Sequence, residues 1–173
     1  HKVLPKKNVD VFEKVNQLEI TEKTKLNILR KSSFVDEVDF FSDGTPQPSW
    51  IDISITELCN RLCEFCPRVD PNFYPNQNLH FSIDLARSFA ADLRAHDYKG
   101  GVVFCGYGEP MLQPKLFKLI EQFRGIHLEI VTNGDKLNAK VIKELFEAGL
   151  SFLCVSMYDG PHQVEKFETM FRE

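Results

Sequence analysis

The sequence lacks several features that would place a protein quickly in a class. It has no apolar run near the roughly 20 residues that a membrane-spanning helix requires, and residues 1–7 are polar and carry no secretory leader pattern. Internal repeats, a serine-hydrolase motif and a phosphate-binding glycine loop are also missing. The net charge of −4 argues against a general attraction to nucleic acid, although it leaves a local basic patch open. We therefore expect neither a membrane span nor general nucleic-acid binding.

Cysteine is scarce, and three of the five cysteines are clustered. Cys59, Cys63 and Cys66 lie within eight residues of one another. An odd number of cysteines without a leader favours a metal site in a reduced, cytoplasmic compartment over a disulfide framework. Thiolate sulfur suits zinc and iron–sulfur clusters, and three ligands leave one metal position free. Cys105 and Cys154 lie in apolar runs and are predicted to be core thiols.

The first part of the chain differs in pattern from the rest. Residues 1–19 mix charged and apolar positions and are predicted to form a short helix, and Thr21 is predicted to cap a better-marked second helix. The segment from Asp43 to Pro48 is rich in turn-forming residues. We therefore predict a helical extension and linker over residues 1–47 and one folded domain over residues 48–173.

The predicted domain alternates between strand and helix patterns. Four apolar runs have the length and composition of strands, at residues 50–56, 102–105, 128–131 and 152–156. Helices are predicted to begin after Ser82, at Pro114, after Asn138 and at residue 161. This alternation predicts an α/β fold with a parallel sheet, which forms either an open doubly wound sheet or a barrel.

Unusual residues follow each predicted strand. The cysteine loop follows the first strand, Gly106–Pro110 the second, Thr132–Gly134 the third and Ser156–Gly160 the fourth. In both open sheets and barrels, ligands bind at the carboxyl ends of the parallel strands. The sequence therefore predicts one site at this rim.

Two of these segments together resemble a known family. Cys59-x-x-x-Cys63-x-x-Cys66 after a first strand resembles the cluster motif of radical S-adenosylmethionine (radical SAM) enzymes, and residues 106–110, Gly-Tyr-Gly-Glu-Pro, resemble their glycine-glycine-glutamate-proline motif. Tyr107 stands where a glycine is common. The resemblance covers roughly residues 50 to 160 and implies a partial TIM-like (β/α)6 barrel, of which about four βα units are present. The residues that follow Cys66 also suggest relatives with a C-terminal auxiliary-cluster domain of the SPASM or twitch type.

The resemblance implies a cofactor set and a reaction type. Cys59, Cys63 and Cys66 would hold three irons of a 4Fe–4S cluster, and S-adenosylmethionine would chelate the fourth. An electron from a flavodoxin- or ferredoxin-like donor would cleave the sulfur–C5′ bond, and the 5′-deoxyadenosyl radical would abstract hydrogen from a small-molecule or peptide substrate. The residues implied to contact S-adenosylmethionine are Phe65, Gly106, Tyr107, Gly108, Glu109, Thr132, Asn133 and Ser156.

Individual roles follow from the same resemblance. Glu109 would orient the ammonium group of S-adenosylmethionine, Gly108 would let the backbone approach its methionine moiety, and Phe65 would pack near its adenine. Thr132, Asn133 and Ser156 would reach the ribose hydroxyls or the carboxylate. Because they flank the rim motifs, we also consider three candidate substrate-facing residues: Arg68, Tyr107 and Tyr158.

Two alternative interpretations stay open. The cysteines could form a structural zinc site with His80 or Cys105 as the fourth ligand, which would make the protein a binding module. The chain could also keep the radical SAM fold as a scaffold without catalysis, an alternative that Tyr107 supports.

Overall fold

A four-stranded parallel sheet forms the centre of the structure, a computed structural model that describes residue 17 and residues 21–32 and 39–172. The strands pair in chain order, β1-β2-β3-β4. They are β1 (Trp50–Ile53), β2 (Gly101–Phe104), β3 (His127–Thr132) and β4 (Phe152–Val155). All three pairings are parallel, so the carboxyl ends of the strands lie at one edge. The predicted α/β class with parallel βα units is confirmed.

Three helices connect successive strands, as predicted: α2 (Ile83–Ala95), α3 (Leu116–Gln122) and α4 (Ala139–Ala148). Helix α1 (Glu22–Ser32) precedes β1, and α5 (His162–Arg172) follows β4. The predicted caps are present, because Ser82 Oγ accepts the Leu85 N–H at 3.1 Å and Asn138 Oδ1 accepts the Val141 N–H at 3.0 Å. Gly149 ends α4 with φ +122°.

The N-terminal part of the chain is described only in pieces. The predicted helix over residues 1–19 lies outside the described residues, apart from residue 17. The predicted second helix is α1, and Thr21 Oγ1 accepts the Thr24 N–H at 3.2 Å. The buried Gln47 side chain donates to the His96 carbonyl and accepts the Lys99 N–H, both at 3.3 Å. The end of the predicted linker therefore packs on the end of α2, and the boundary at residue 47 stays a prediction.

The hydrophobic core lies between one face of the sheet and the helices. Alternate strand residues point to this face, and the most deeply buried of them are Val102, Phe104, Leu128 and Ile130. Phe123, just after α3, packs edge-on against Phe104 with ring centroids 5.4 Å apart. The burial of these apolar side chains stabilises the sheet from which the rim loops leave. In the described ranges, no helix is both long and apolar enough to cross a membrane.

Strand β1 is shorter than predicted. It ends at Ile53, and Thr56 instead forms an antiparallel bridge with His80. The Phe81 N–H donates to the Ile55 carbonyl at 3.0 Å, and the Glu57 N–H donates to the Leu79 carbonyl at 2.9 Å. The chain therefore leaves the sheet early and pairs with the segment before α2, which fixes the direction in which the cysteine loop starts.

Tyr98 offers a test of the packing beneath the sheet. It is 9% exposed, its hydroxyl donates to the Gly101 carbonyl at 3.0 Å, and burial raises its pKa from 10.0 to about 12. Because the folded state keeps the phenol proton longer than the unfolded state, the contribution of Tyr98 to stability is full below pH 10 and is lost as the pH rises to about 12. We expect the difference in phenolate absorbance between wild type and Tyr98→Phe to show one group titrating near pH 12. A difference curve centred on pH 10 would mean that Tyr98 is solvated.

Candidate functional site

A cavity of about 260 Å³ lies where the four loops meet beyond the carboxyl ends of the strands. The residues predicted for the site all line it: Cys59, Cys63, Phe65, Cys66, Gly106, Tyr107, Gly108, Glu109, Thr132, Asn133 and Ser156. Four further residues complete the wall: Arg61, Cys105, Val131 and Tyr158. The structure thus brings these eleven predicted residues to one place, while the contacts of each with a ligand stay predictions.

The three clustered cysteines are free thiols that face the cavity half-buried. Burial, with the neighbouring thiols of Cys59 and Cys66, raises the pKa of Cys63, while Arg61 opposes that rise. Across residues 39–172 and the two shorter described pieces, no three Cys, His, Asp or Glu side chains lie close enough to hold a metal ion together. The donor chemistry fits an iron–sulfur cluster or zinc, since three soft ligands share one cavity wall. A metal would have to displace the thiol protons and draw the sulfurs together as it binds.

The remaining candidate metal ligands are placed differently. His80 pairs with Thr56 and bonds Asn78 Oδ1 through Nε2 at 2.9 Å, and it is not among the cavity residues. Cys105 does line the cavity, and both it and Cys154 are half-buried. The prediction that these two are core thiols was wrong. The alternation of the strands gives the core positions to their neighbours Phe104 and Leu153, which are 0% and 8% exposed.

Glu109 ties the loop after β2 to the end of β3. Its carboxylate is 3% exposed and accepts three protein hydrogen bonds. Oε1 accepts the Thr132 hydroxyl at 2.6 Å and the Met111 N–H at 3.0 Å, and Oε2 accepts the Asn133 N–H at 2.8 Å. A carboxylate has about four acceptor positions, so about one stays available to a ligand. In the structure, Glu109 holds two loops of the site together, and its contact with an ammonium group stays a prediction.

The two glycines before Glu109 are required by contacts inside the protein. A Cβ on Gly108 would overlap the carbonyl oxygen of Thr56 and lie 3.2 Å from that of Leu58. Gly106 has φ +129°, and a Cβ there would lie 2.9 Å from Ser54 Oγ. Because Gly108 has no side chain, the loop after β2 can pack directly against the start of the cysteine loop. The sequence did not indicate this reason for a glycine at the position.

Arg68 is not a substrate-facing residue. It is 2% exposed, and its Nε donates to the Tyr107 carbonyl. Its Nη2 pairs with Glu57 Oε2 at 3.2 Å, and its guanidinium lies 4.8 Å from the ring centroid of Tyr74. With these contacts Arg68 joins the end of the cysteine loop to the loop after β2. The expectation from its position beside the motif was wrong, because the side chain is buried and its N–H groups are bonded to other residues of the chain.

Two aromatic pairs stand at the cavity. Phe65 and Tyr158 have ring centroids 5.2 Å apart, and Tyr74 and Tyr107 have centroids 5.1 Å apart. Phe65 is 73% exposed, Tyr107 52% and Tyr158 48%. Phe65, Tyr107 and Tyr158 line the cavity and are open to solvent, so their rings offer flat apolar surfaces to a ligand. Tyr107 and Tyr158 thus keep their place as candidate substrate-facing residues.

Arg61 and two aspartates join three of the rim loops. Its guanidinium contacts Asp135, after β3, and Asp159, after β4. Hydrogen bonds from Arg61 lower the pKa of both carboxyl groups, and the two carboxylates raise the pKa of Arg61. The sequence analysis missed this group, because its members are distant in sequence and each looks like an ordinary charged surface residue.

Comparison with known proteins yields a family match. Residues 53–167 match the model of the family described as "Radical SAM superfamily". The S-adenosyl-L-methionine-dependent 2-deoxy-scyllo-inosamine dehydrogenase of Niallia circulans is 30% identical over 122 residues, which are 65% of this chain and 46% of that protein. The GTP 3',8-cyclase of Pseudomonas fluorescens is 30% identical over 131 residues, which are 71% of this chain and 36% of that protein.

A solved structure is also similar. The crystal structure of BtrN in complex with AdoMet and 2-DOIA superposes with a TM-score of 0.61 at 27% identity, over 72% of this chain and 51% of that one. The chain spans less than half the length of the two curated relatives named above.

Proposed function

The chain belongs to the radical SAM superfamily, and from that membership we propose that it binds a 4Fe–4S cluster and S-adenosylmethionine at the rim cavity for radical catalysis. When bound and reduced by a flavodoxin- or ferredoxin-like donor, these groups would supply cleavage of the sulfur–C5′ bond and a 5′-deoxyadenosyl radical that takes hydrogen from a substrate.

One observation carries the proposal. Eleven residues chosen from four separate loops line a single cavity of about 260 Å³, and the three thiols are among them. A structural zinc site would need only the thiols and one further ligand. It would give no reason for the loop after β2 and the ends of β3 and β4 to line the same cavity as the thiols. The wall beyond the cysteines combines aromatic rings with a few polar groups, as sites for organic ligands do.

The residues of the chain have distinct proposed tasks. Cys59, Cys63 and Cys66 supply the thiolates for three irons. The backbone held in place by Glu109, together with Ser156, offers polar groups to the amino acid and ribose parts of S-adenosylmethionine. Phe65 offers its exposed ring to the adenine.

We propose a small molecule as substrate. The two relatives are named for 2-deoxy-scyllo-inosamine and for GTP, and both of these are small molecules. Tyr107 and Tyr158 both line the cavity and are about half exposed, so they are the residues proposed to meet the substrate. A peptide substrate is the alternative within the same chemistry.

The first test is anaerobic reconstitution with iron and sulfide, followed by electron paramagnetic resonance of the reduced protein with and without S-adenosylmethionine. We expect about four irons per chain and a 4Fe–4S signal that changes when S-adenosylmethionine is added. Cys63→Ser should lose most of the iron and the change in signal. Cys154→Ser is the matched control, because Cys154 is a half-buried thiol that does not line the cavity, and it should behave as the wild type.

Two outcomes would overturn the proposal. If the wild type binds about one zinc per chain and no iron–sulfur cluster, the cysteines form a structural zinc site. The second outcome is a cluster whose resonance signal does not change when S-adenosylmethionine is added. If the reduced protein then also releases no 5′-deoxyadenosine, the chain is a scaffold with the radical SAM fold.

A further inference from the structure

We propose that Arg61 is a positioning residue that fastens the cysteine loop to the rim through a double bidentate clamp with Asp135 and Asp159. This inference deepens the proposed function and rests on it, because the loop that is fastened is the one proposed to hold the cluster. Arg61 lies between Cys59 and Cys63, so its own backbone is part of the segment that carries both thiols.

The clamp uses both edges of the guanidinium group. Arg61 Nε donates to Asp135 Oδ2 at 2.7 Å, and Nη2 donates to Asp135 Oδ1. Nη1 donates to Asp159 Oδ1 at 2.8 Å, and Nη2 donates to Asp159 Oδ2 at 2.7 Å. Paired N–H···O bonds of this kind fix orientation as well as distance. The Arg61 and Asp135 side chains are only 17% and 31% exposed, so water screens this pair less than it screens ordinary surface ion pairs. The Asp159 side chain is 49% exposed, so its pair with Arg61 is screened more.

Both carboxylates are themselves held in place. The Asp159 N–H donates to Gln163 Oε1, and Gln163 Nε2 donates to Asp159 Oδ2, both at 2.9 Å. Gln163 is 3% exposed and belongs to α5, so Asp159 is fixed to a packed helix. Asp135 accepts Asn60 Nδ2 at 2.6 Å, and its N–H donates to Asn133 Oδ1 at 3.0 Å. Arg61 therefore binds two anchored partners.

The cysteine loop is also held at both of its ends by contacts that do not involve the clamp. Near the start, Asn76 exchanges two hydrogen bonds with the backbone of Cys59, at 2.9 and 3.1 Å. Near the end, Arg68 is buried and bonded to the loop after β2. Between these points the side chains of Asn60 and Arg61 connect the loop to the elements after β3 and β4. The middle of the loop, with Cys63 next to it, is thus the part whose position depends on the clamp.

The clamp can be tested on the metal-free chain by the rates at which a small alkylating reagent modifies each cysteine. In Arg61→Gln we expect Cys63 to react about tenfold faster than in the wild type, because the middle of the loop opens more often. The rate at Cys59 should rise less, because Asn76 still holds its backbone. Cys154 lies in β4 away from the cavity and reports on the sheet within the same sample, so its rate should not change. Arg61→Lys should resemble Arg61→Gln, because an ammonium group cannot form the two paired contacts. Arg87→Gln is the matched control, since Arg87 forms an exposed pair with Asp84 on α2.

The results separate this inference from the proposed function. If Arg61→Gln leaves all five alkylation rates unchanged, or if Arg61→Lys restores the wild-type rates, the clamp is wrong even when the wild type forms a cluster. If the rates rise as expected but the wild type forms no cluster, the clamp stands as a property of the loop and the proposed function fails. Equally faster alkylation at Cys154 would indicate general destabilisation and would also overturn the inference.

Discussion

Replacing Gly108 with alanine is expected to lower the free energy of unfolding by about 3 kcal/mol or more, because the new methyl group overlaps backbone atoms that have no rotamer to escape to. A Cβ at this position would overlap the carbonyl oxygen of Thr56. The Glu109 N–H, one residue further on, donates to the Leu58 carbonyl at 2.7 Å, and this bond would be pushed apart. Urea unfolding followed by circular dichroism measures the loss. In the same variant, S-adenosylmethionine should no longer alter the spectrum of a reconstituted cluster.

The matched control is Gly125→Ala. Gly125 has φ +85° and nothing within 4 Å of a Cβ, so the same substitution meets backbone strain without a clash. We expect Gly125→Ala to lower the free energy of unfolding by about 1 kcal/mol. If the two variants lose the same free energy of unfolding, the loop after β2 does not contact the start of the cysteine loop as closely as it does in the structure.

Replacing Glu109 with glutamine is expected to lower the free energy of unfolding by about 3 kcal/mol, although the two side chains have nearly the same shape. All three groups around the carboxylate are donors, from Met111, Thr132 and Asn133. A glutamine amide has one oxygen and one NH2 group. Whichever way it is turned, its NH2 group therefore faces a backbone N–H. Thermal unfolding by calorimetry measures the loss.

Glu121→Gln serves as the control for this change, because Glu121 is on the exposed face of α3. It should shift stability by less than about 0.5 kcal/mol. If Glu109→Gln is as stable as the wild type but binds S-adenosylmethionine more weakly, then Glu109 acts on the ligand and the tie between the loops contributes little.

The features that the sequence predicted correctly are those encoded locally. Ser82 and Asn138 bond backbone groups three residues away, and Gly149 directly follows the helix that it ends. The site could be located for a similar reason, because each rim motif stands directly after its own strand. Parallel pairing then places the four motifs at one edge without any further information.

The features that were missed depend on partners far along the chain. The buried Arg68 bonds the Tyr107 carbonyl 39 residues away, and no local pattern separates it from a solvated arginine. Strand β1 ends early because Thr56 pairs with His80, which competes with continued pairing to β2. Cys105 was assigned to the core from its apolar neighbours, whereas only the register of the sheet decides which side chains face the helices.

The separation in sequence between Arg61 and its two partners has a consequence for the order of events during synthesis. Asp135 and Asp159 follow Arg61 by 74 and 98 residues. At a translation rate of 5–20 residues per second, Asp159 is made roughly 5 to 20 s after the cysteine loop. The loop is thus among the first parts of the domain to be made and the last to be fastened. If the loop takes up the proposed cluster during synthesis, the metal would meet an open loop, and its later loss would be opposed by the closed clamp.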